Sequence, residues 1–111
     1  MNIYKSLLSL NSASFYCGAI YSNLSYLDLR YSDILSNSAD QYGGVWSRDP
    51  VGDYFLNNKI IGNSARFGGG ISFEDYGYDS WYDGIISFVY NNLIADNSST
   101  VYGGGIYCAN A

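Results

Sequence analysis

The sequence predicts an all-β fold, a parallel β-helix of about four coils with a longer loop in the third. A tripeptide, Asn-Ser-Ala or Asn-Ser-Ser, recurs four times at a period of about 26 residues. The apolar segments between the copies are short, rich in β-forming residues and bounded by Gly and Asn. No segment keeps the apolar spacing of an amphipathic helix. With 111 residues, the chain has the length of one domain, residues 1–111.

The repeat has matching residues on both sides of the tripeptide. The copies start at Asn11, Asn37, Asn63 and Asn97, so the intervals are 26, 26 and 34 residues. An aliphatic residue lies three positions before each Asn, namely Leu8, Ile34, Ile60 and Ile94. A Gly-containing corner follows each copy, at Gly18, Gly43, Gly69 and Gly104. A repeat of this length that contains only short strands is typical of one solenoid coil.

Equivalent residues of successive coils are expected to stack about 4.8 Å apart. The column of Asn11, Asn37, Asn63 and Asn97 is therefore predicted to form an amide ladder, in which each side chain bonds to the next coil. A row of amides that binds a ligand is the alternative. The pairs 57–58 and 91–92, all Asn, predict a second column of the same kind.

Charged residues test this register. With Asn37 aligned to Asn63, Asp33 falls beside Lys59 and Asp40 beside Arg66. Opposite charges on adjacent strands are favourable, so both columns support the alignment.

The Gly-rich corners 68–70 and 103–105 lead into strand-like residues and not into a helix, which disfavours a phosphate-binding loop. The sequence predicts that these glycines adopt positive φ in a tight corner. Alternate residues after the corner should face inward, which would bury Cys108 as a small hydrophobe. Cys17 would lie three coils from Cys108, too far for a disulfide.

Composition limits the possible functions. The net charge is −5, so no basic stripe for nucleic acid is expected, and the absence of His removes imidazole from any catalytic or zinc site. No apolar run approaches the roughly 20 residues of a membrane-spanning helix. We expect no cofactor and no bound metal.

Two tetrapeptides carry a resemblance to known proteins. Residues 17–20, 68–71 and 103–106 approximate a Gly-Gly-Ala-Ile motif, and residues 55–58 and 88–91 match Phe-x-x-Asn. In these motifs the chain resembles the polymorphic outer-membrane protein repeat family and the wider group of secreted right-handed parallel β-helix proteins with the pectate-lyase-like fold. The resemblance implies a right-handed solenoid that is secreted or displayed at the cell surface, associated with the outer membrane. Such solenoids are often autotransporter passengers, and they act in adhesion. It also implies that the chain is part of a larger solenoid with flanking β-helix repeats.

Two loops are the predicted binding site. They span residues 47–54 and 74–84 on successive coils and should lie side by side. Together they contain Tyr54, Asp75, Tyr76, Tyr78, Asp79, Trp81, Tyr82 and Asp83. Aromatic rings with polar rims suit a glycan or a cell-surface protein. The alternative is that the rings pack over the flank of the solenoid. The three aspartates could also offer oxygen ligands to Ca²⁺, although their spacing is not that of an EF-hand.

A fragment of a polysaccharide-degrading lyase or hydrolase is the alternative function, because the fold also carries such enzymes. It would need carboxylates beside a cationic side chain. The candidates are Asp28, Arg30, Asp33 and Lys59. Since Asp33 and Lys59 already have an explanation as a surface pair, we expect a module that binds and is not an enzyme.

Overall fold

The computed structural model describes residues 1–77 and 87–110 and contains sixteen strands in four successive coils. The first coil comprises β1 (Asn2–Tyr4), β2 (Leu7–Ser9), β3 (Ser12–Ala13) and β4 (Ile20–Asn23). The second comprises β5 (Asp28–Arg30), β6 (Asp33–Leu35), β7 (Ser38–Ala39) and β8 (Val45–Arg48). The third comprises β9 (Tyr54–Leu56), β10 (Lys59–Ile61), β11 (Ser64–Ala65) and β12 (Ile71–Asp75). The fourth comprises β13 (Phe88–Tyr90), β14 (Leu93–Ala95), β15 (Ser98–Ser99) and β16 (Ile106–Asn110).

Each coil contributes one strand to each of four parallel sheets. The first sheet is β1-β5-β9-β13, the second β2-β6-β10-β14, the third β3-β7-β11-β15 and the fourth β4-β8-β12-β16. Every pairing joins equivalent positions of adjacent coils, as in Ile34 with Ile60. The predicted parallel β-helix of four coils is therefore confirmed, and so is its longer loop. The interval from the end of β12 at Asp75 to the start of β13 at Phe88 is longer than the interval from the end of β8 at Arg48 to the start of β9 at Tyr54.

The core consists of columns of apolar side chains that point into the solenoid. Leu29 and Phe55 form one column, Ile34 and Ile60 a second, and Val45 and Ile71 a third, all at most 1% exposed. The equivalents of the first two columns in the first and fourth coils, Ile3, Val89, Leu8 and Ile94, are only partly buried. In the third column, Ile20 of the first coil is buried, whereas Ile106 of the fourth coil is exposed.

Two corners of each coil are made by a single left-handed residue. The first corner has positive φ at Lys5, Tyr31, Asn57 and Asn91. The second has positive φ at Leu10, Ser36, Gly62 and Asp96. The residue directly after the left-handed one, such as Asn37 or Asn63, belongs to a stacked column and leads into the following strand. Gly, Asn and Asp tolerate this conformation, but Lys5, Leu10, Tyr31 and Ser36 ordinarily avoid it, so the repeat imposes it on these four residues.

The prediction of positive φ at the Gly-rich corners is wrong. Among the described glycines, those with positive φ are Gly52, Gly62 and Gly77, and none of them belongs to those corners. The corner glycines are needed for close packing instead. A Cβ on Gly43 would lie 2.6 Å from the carbonyl oxygen of Gly69 and 2.7 Å from the nitrogen of Ser64. The backbones of adjacent coils approach each other more closely than any side chain allows.

The prediction that Cys108 is buried is also wrong, because its side chain is exposed. It follows the inward column that begins with Ser22 and Ser47, but it lies in the fourth coil and pairs on one side only, with Phe73. Cys17 and Cys108 are both free thiols. Burial raises the pKa of the Cys17 thiol to about 11, and its Sγ lies 2.8 Å from the carbonyl oxygen of Ile20. The part of the chain that the structure describes holds no helix with the length and apolarity to span a membrane.

Candidate functional site

The four ladder asparagines lie directly above one another. The Oδ1 of Asn63 accepts from the backbone nitrogen of Asn37 at 2.9 Å and from its Nδ2 at 3.0 Å. The same pair of bonds runs from Asn11 to Asn37 and from Asn63 to Asn97. Except in the first coil, the Nδ2 of each ladder Asn also donates to a backbone carbonyl of the preceding coil, as from Asn63 to Ile34 at 2.9 Å. Asn37 and Asn63 are 0% exposed, so the central amides hold the coils together from inside.

A second ladder runs along the neighbouring corner. The Oδ1 of Asn92 accepts from the backbone nitrogen and the Nδ2 of Asn58, and Asn58 in turn accepts from the nitrogen of Ser32. Only one Asn of each predicted pair takes part. Asn57 and Asn91 instead provide the left-handed corner.

The two charged columns differ in their contacts. Arg66 donates to Asp40 at 2.7 Å across adjacent coils, and the two side chains are 50% and 36% exposed. Asp33 and Lys59 are in register on the second sheet, but these two described residues form no ion pair within 4.0 Å. The register is the expected one in both columns, yet a salt bridge forms in only one.

The two predicted binding loops do begin side by side. Asp49 donates its backbone N–H to the carbonyl of Glu74 at 2.6 Å, and its Oδ1 accepts from the nitrogen of Tyr76 at 2.6 Å. The loops are shorter than predicted, because Ser47 and Arg48 belong to β8, and Glu74 and Asp75 to β12. The carboxylate of Asp75 accepts from the nitrogen of Gly77 at 2.8 Å.

Tyr54 is not a loop residue but lies on β9 in the first sheet. Its ring contacts Phe88 at 5.4 Å and Tyr90 at 6.1 Å between centroids, and the Arg30 guanidinium lies 4.9 Å from its centre. Tyr76 contacts a different set of residues beside the fourth sheet. The two tyrosines predicted to share a surface therefore have separate neighbours.

Five of the predicted site residues lie outside the described residues, namely Tyr78, Asp79, Trp81, Tyr82 and Asp83. Within residues 1–77 and 87–110, no group of three His, Cys, Asp or Glu side chains is arranged to hold a metal ion.

A buried carboxylate organises the outer surface of the fourth sheet. Glu74 is only 6% exposed and accepts hydrogen bonds from three aromatic side chains. The Tyr42 hydroxyl donates at 2.7 Å, the Trp46 indole N–H at 3.1 Å and the Tyr76 hydroxyl at 2.8 Å. We call these four residues the Glu74 cluster. Because the carboxylate is satisfied from three directions, it fixes the positions of the rings around it.

The electrostatics of the cluster keep its phenols protonated. Burial and the hydrogen bond to Glu74 raise the pKa of Tyr42 far above its usual value. The same two causes raise the pKa of Tyr76, whose ring also lies 4.7 Å from the Arg48 guanidinium. Both hydroxyls are therefore hydrogen-bond donors at any physiological pH.

Further rings extend the cluster along the sheet. Trp46 stacks on Tyr21 and Tyr42, with centroids 4.5 and 4.3 Å away, and Tyr16 lies at 6.0 Å. Trp46 itself is 5% exposed, whereas Tyr16, Tyr21 and Tyr76 are 61%, 44% and 40% exposed. The buried indole thus stacks on two exposed phenol rings, Tyr16 and Tyr21, and the third, Tyr76, joins the cluster through its hydrogen bond to Glu74. We call Tyr16, Tyr21 and Tyr76 the aromatic rim.

The sequence contained a signal for this surface that the loop-based interpretation missed. Tyr21, Trp46, Ser72 and Tyr107 are in register on the fourth sheet, each directly after the apolar residue that ends the Gly-rich corner. Since that apolar residue faces inward, the next must face outward. Three aromatics in this one column predict an aromatic outer face.

The residues considered for an enzyme are divided between two sheets. Asp28 and Arg30 lie on β5 of the first sheet, where the Arg30 Nε donates to Asp28 at 2.6 Å. Asp33 and Lys59 lie on the second sheet.

In comparisons of the chain with protein-family models, with curated proteins and with solved structures, nothing matched.

Proposed function

We propose that this chain is a β-helix module of the cell surface or of a secreted protein, with a structural and adhesive role, and that it binds a glycan through its aromatic side chains. The observation that carries the proposal is the Glu74 cluster, a rigid platform whose exposed rim consists of tyrosines. A cell-surface protein is the other partner that such a surface suits.

The chemistry of the rim favours a sugar. Tyrosine combines a flat apolar ring with a polar hydroxyl, and it loses little side-chain entropy on binding. The Glu74 carboxylate is buried and already bonded to three donors, so it presents little free charge to a ligand. These properties support a neutral glycan as the ligand.

Tryptophan fluorescence provides a direct assay. The chain has two tryptophans, and the Trp81→Phe variant leaves only Trp46, which stacks on Tyr21. We expect a neutral oligosaccharide found on a glycan array to change the Trp46 emission on titration. Replacing both exposed neighbours, Tyr16→Ala with Tyr21→Ala, should weaken binding at least about tenfold.

Tyr31→Ala is the matched control. Tyr31 is 55% exposed, comparable with the rim residues, but lies at a corner of the second coil away from the fourth sheet. It should bind like the parent chain. If no glycan binds, or if the control loses as much affinity as the rim variant, the proposal is wrong. If a cell-surface protein binds instead, and its binding depends on the aromatic rim, the partner is a protein and not a glycan.

A further inference from the structure

Ring contacts continue from the Glu74 cluster across the outer surface of the solenoid. Tyr42 of the second coil contacts Phe67 of the third, with centroids 6.1 Å apart. Phe67 in turn stacks on Tyr102 of the fourth coil at 5.5 Å. Together with the rings already described, these contacts form one unbroken row. We call it the aromatic row, which comprises Tyr16, Tyr21, Trp46, Tyr42, Phe67 and Tyr102.

The aromatic row lies on the outside of the solenoid. Tyr21 and Trp46 pair on the fourth sheet, directly after Ile20 and Val45, which point into the core. Coils placed before or after the described ones would continue the fourth sheet. They would therefore lie beside the row and lengthen it, and they would not cover its outer side.

The row is straight, because the strands beneath it pair without any shift of register. Tyr21 pairs with Trp46, Trp46 with Ser72, and Ser72 with Tyr107. Columns of paired residues in a parallel β-helix run along its axis, so the row is parallel to the solenoid axis. A straight surface fits an extended chain. Chains of β-linked hexoses, as in cellulose, are extended, whereas α-linked chains, as in amylose, curl.

The most exposed rings of the row lie on different coils. Tyr16 and Tyr21 of the first coil are 61% and 44% exposed, and Tyr102 of the fourth coil is 56% exposed. Between them, Tyr42 and Trp46 are buried at 5%. Three coil spacings separate the two exposed groups, which amounts to about 14 Å. A single hexose cannot bridge this distance, but a chain of several linked hexoses can.

The charges beside the row favour a neutral ligand. Arg66 lies 5.0 Å from the centre of the Phe67 ring and donates to Asp40 at 2.7 Å. Arg48, on the neighbouring outward column of the fourth sheet, lies 3.6 Å from the carboxylate of Asp49. Each of these cations thus has an acidic partner. The net charge of −5 also repels an acidic polysaccharide.

We infer that the ligand of this surface is a linear, neutral chain of β-linked hexoses that lies along the aromatic row, parallel to the solenoid axis. This inference rests on the proposed function and specifies its ligand. One part of the chain contacts Tyr16 and Tyr21, and another part contacts Tyr102. Each tyrosine offers apolar ring atoms and a hydroxyl to the C–H groups and hydroxyls of a sugar. Because one chain joins these weak contacts, affinity rises with its length.

The first test is a length series, measured by calorimetry on the parent chain. The probes are three β-linked hexasaccharides (cellohexaose, mannohexaose and N-acetylchitohexaose), the corresponding disaccharides, and maltohexaose as the α-linked control. We expect at least one β-linked hexasaccharide to bind about tenfold or more tightly than its disaccharide and than maltohexaose. Equal affinity of that hexasaccharide and its disaccharide, or of that hexasaccharide and maltohexaose, overturns the inference.

The second test asks whether the ligand spans the row. Tyr102→Ala, and the double variant Tyr16→Ala with Tyr21→Ala, should each weaken hexasaccharide binding at least about fivefold while circular dichroism stays unchanged. Tyr31→Ala is again the control, since Tyr31 is 55% exposed and Tyr102 is 56% exposed. A loss in only one of the two rim positions, or an equal loss in the control, contradicts a ligand that lies along the row.

The outcomes also separate this inference from the proposed function. If a compact or branched neutral glycan binds through Tyr16 and Tyr21 while none of the three β-linked hexasaccharides binds, the inference is wrong and the proposed function stands. If neither kind of glycan binds, both are wrong.

Discussion

Asn37 and Asn63 lie on adjacent coils and are joined by two hydrogen bonds, because one oxygen, the Oδ1 of Asn63, accepts from both the backbone nitrogen and the Nδ2 of Asn37. Both residues are fully buried. The Nδ2 of Asn63 also donates to the carbonyl of Ile34. A single side chain thus satisfies three polar groups that no water reaches.

Asn63→Ala should therefore lower the free energy of unfolding by about 2–4 kcal/mol, since it leaves buried donors and a carbonyl without partners. Asn11→Ala is the control. Within its ladder Asn11 donates hydrogen bonds but accepts none, and its side chain is exposed. The free energy of unfolding should therefore fall by less than about 1 kcal/mol in this variant. Urea denaturation measures both. Equal losses would mean that the ladder does not contribute through buried hydrogen bonds.

The exposed pair of Asp40 and Arg66 should be weakly stabilising. Asp40→Arg and Arg66→Asp each place like charges on adjacent coils, and each should lower the free energy of unfolding by up to about 1 kcal/mol. The double exchange restores an opposite pair and should recover most of the loss, with a coupling that shrinks at high salt. The same cycle at Asp33 and Lys59, which are in register without an ion pair, should give a smaller coupling. A larger one there would contradict the geometry.

Gly43→Ala should destabilise the fold by overpacking. The new Cβ would lie 2.6 Å from a carbonyl oxygen of the next coil, so the coils must separate, and we expect a loss of about 1–3 kcal/mol or more. Gly77→Ala separates this effect from backbone strain. Gly77 has φ of 71° but no atom within 4 Å of an added Cβ, so only the left-handed conformation opposes the substitution, at about 1–2 kcal/mol. Thermal unfolding of the two variants measures both losses of stability. A smaller loss in Gly43→Ala than in Gly77→Ala would contradict the role of close packing at Gly43.

Asp53 should make the stability depend on pH. Its carboxylate is fully buried, where it accepts from the nitrogen of Leu27 at 3.0 Å and from the hydroxyl of Ser47. Burial raises its pKa above the value in the unfolded chain. The folded state therefore holds the proton more tightly, and the stabilisation from this group is complete below the unfolded pKa of about 3.9 and is lost as the pH rises through the folded pKa.

Asp53→Asn should accordingly stabilise the protein at neutral pH, by about 1 kcal/mol, because an amide keeps the acceptor and removes the buried charge. The advantage should shrink as the pH falls through the folded pKa of Asp53, which burial raises above its ordinary value. Asp28→Asn should do the opposite. Burial acts to raise the pKa of Asp28, but hydrogen bonds from Arg30 and Tyr4 lower it overall, so this variant should lose stability at neutral pH. Unfolding midpoints across the pH range measure both, and the same sign for the two variants would contradict the assignment.

The order of the columns could be predicted from the sequence because a solenoid repeats local chemistry at a fixed period. Asn37 above Asn63, Ile34 above Ile60 and Asp40 above Arg66 all follow from one alignment. The bounds of the two loops could not be predicted in this way, because they depend on where pairing between coils stops. Ser47 and Glu74 remain in strands, since their neighbours across the coils continue the ladder.

Period and composition were thus enough to determine the coil, its register and the inward columns. Only the tertiary structure decided how side chains from different coils meet. Tyr42, Trp46 and Tyr76 come from two coils and from three positions in the repeat, and the buried oxygens of Glu74 bring their polar groups together. It also decided that the corner glycines serve the close approach of backbones and that Cys108 is exposed. Both depend on whether another coil lies alongside, and a residue's own sequence neighbours do not contain that information.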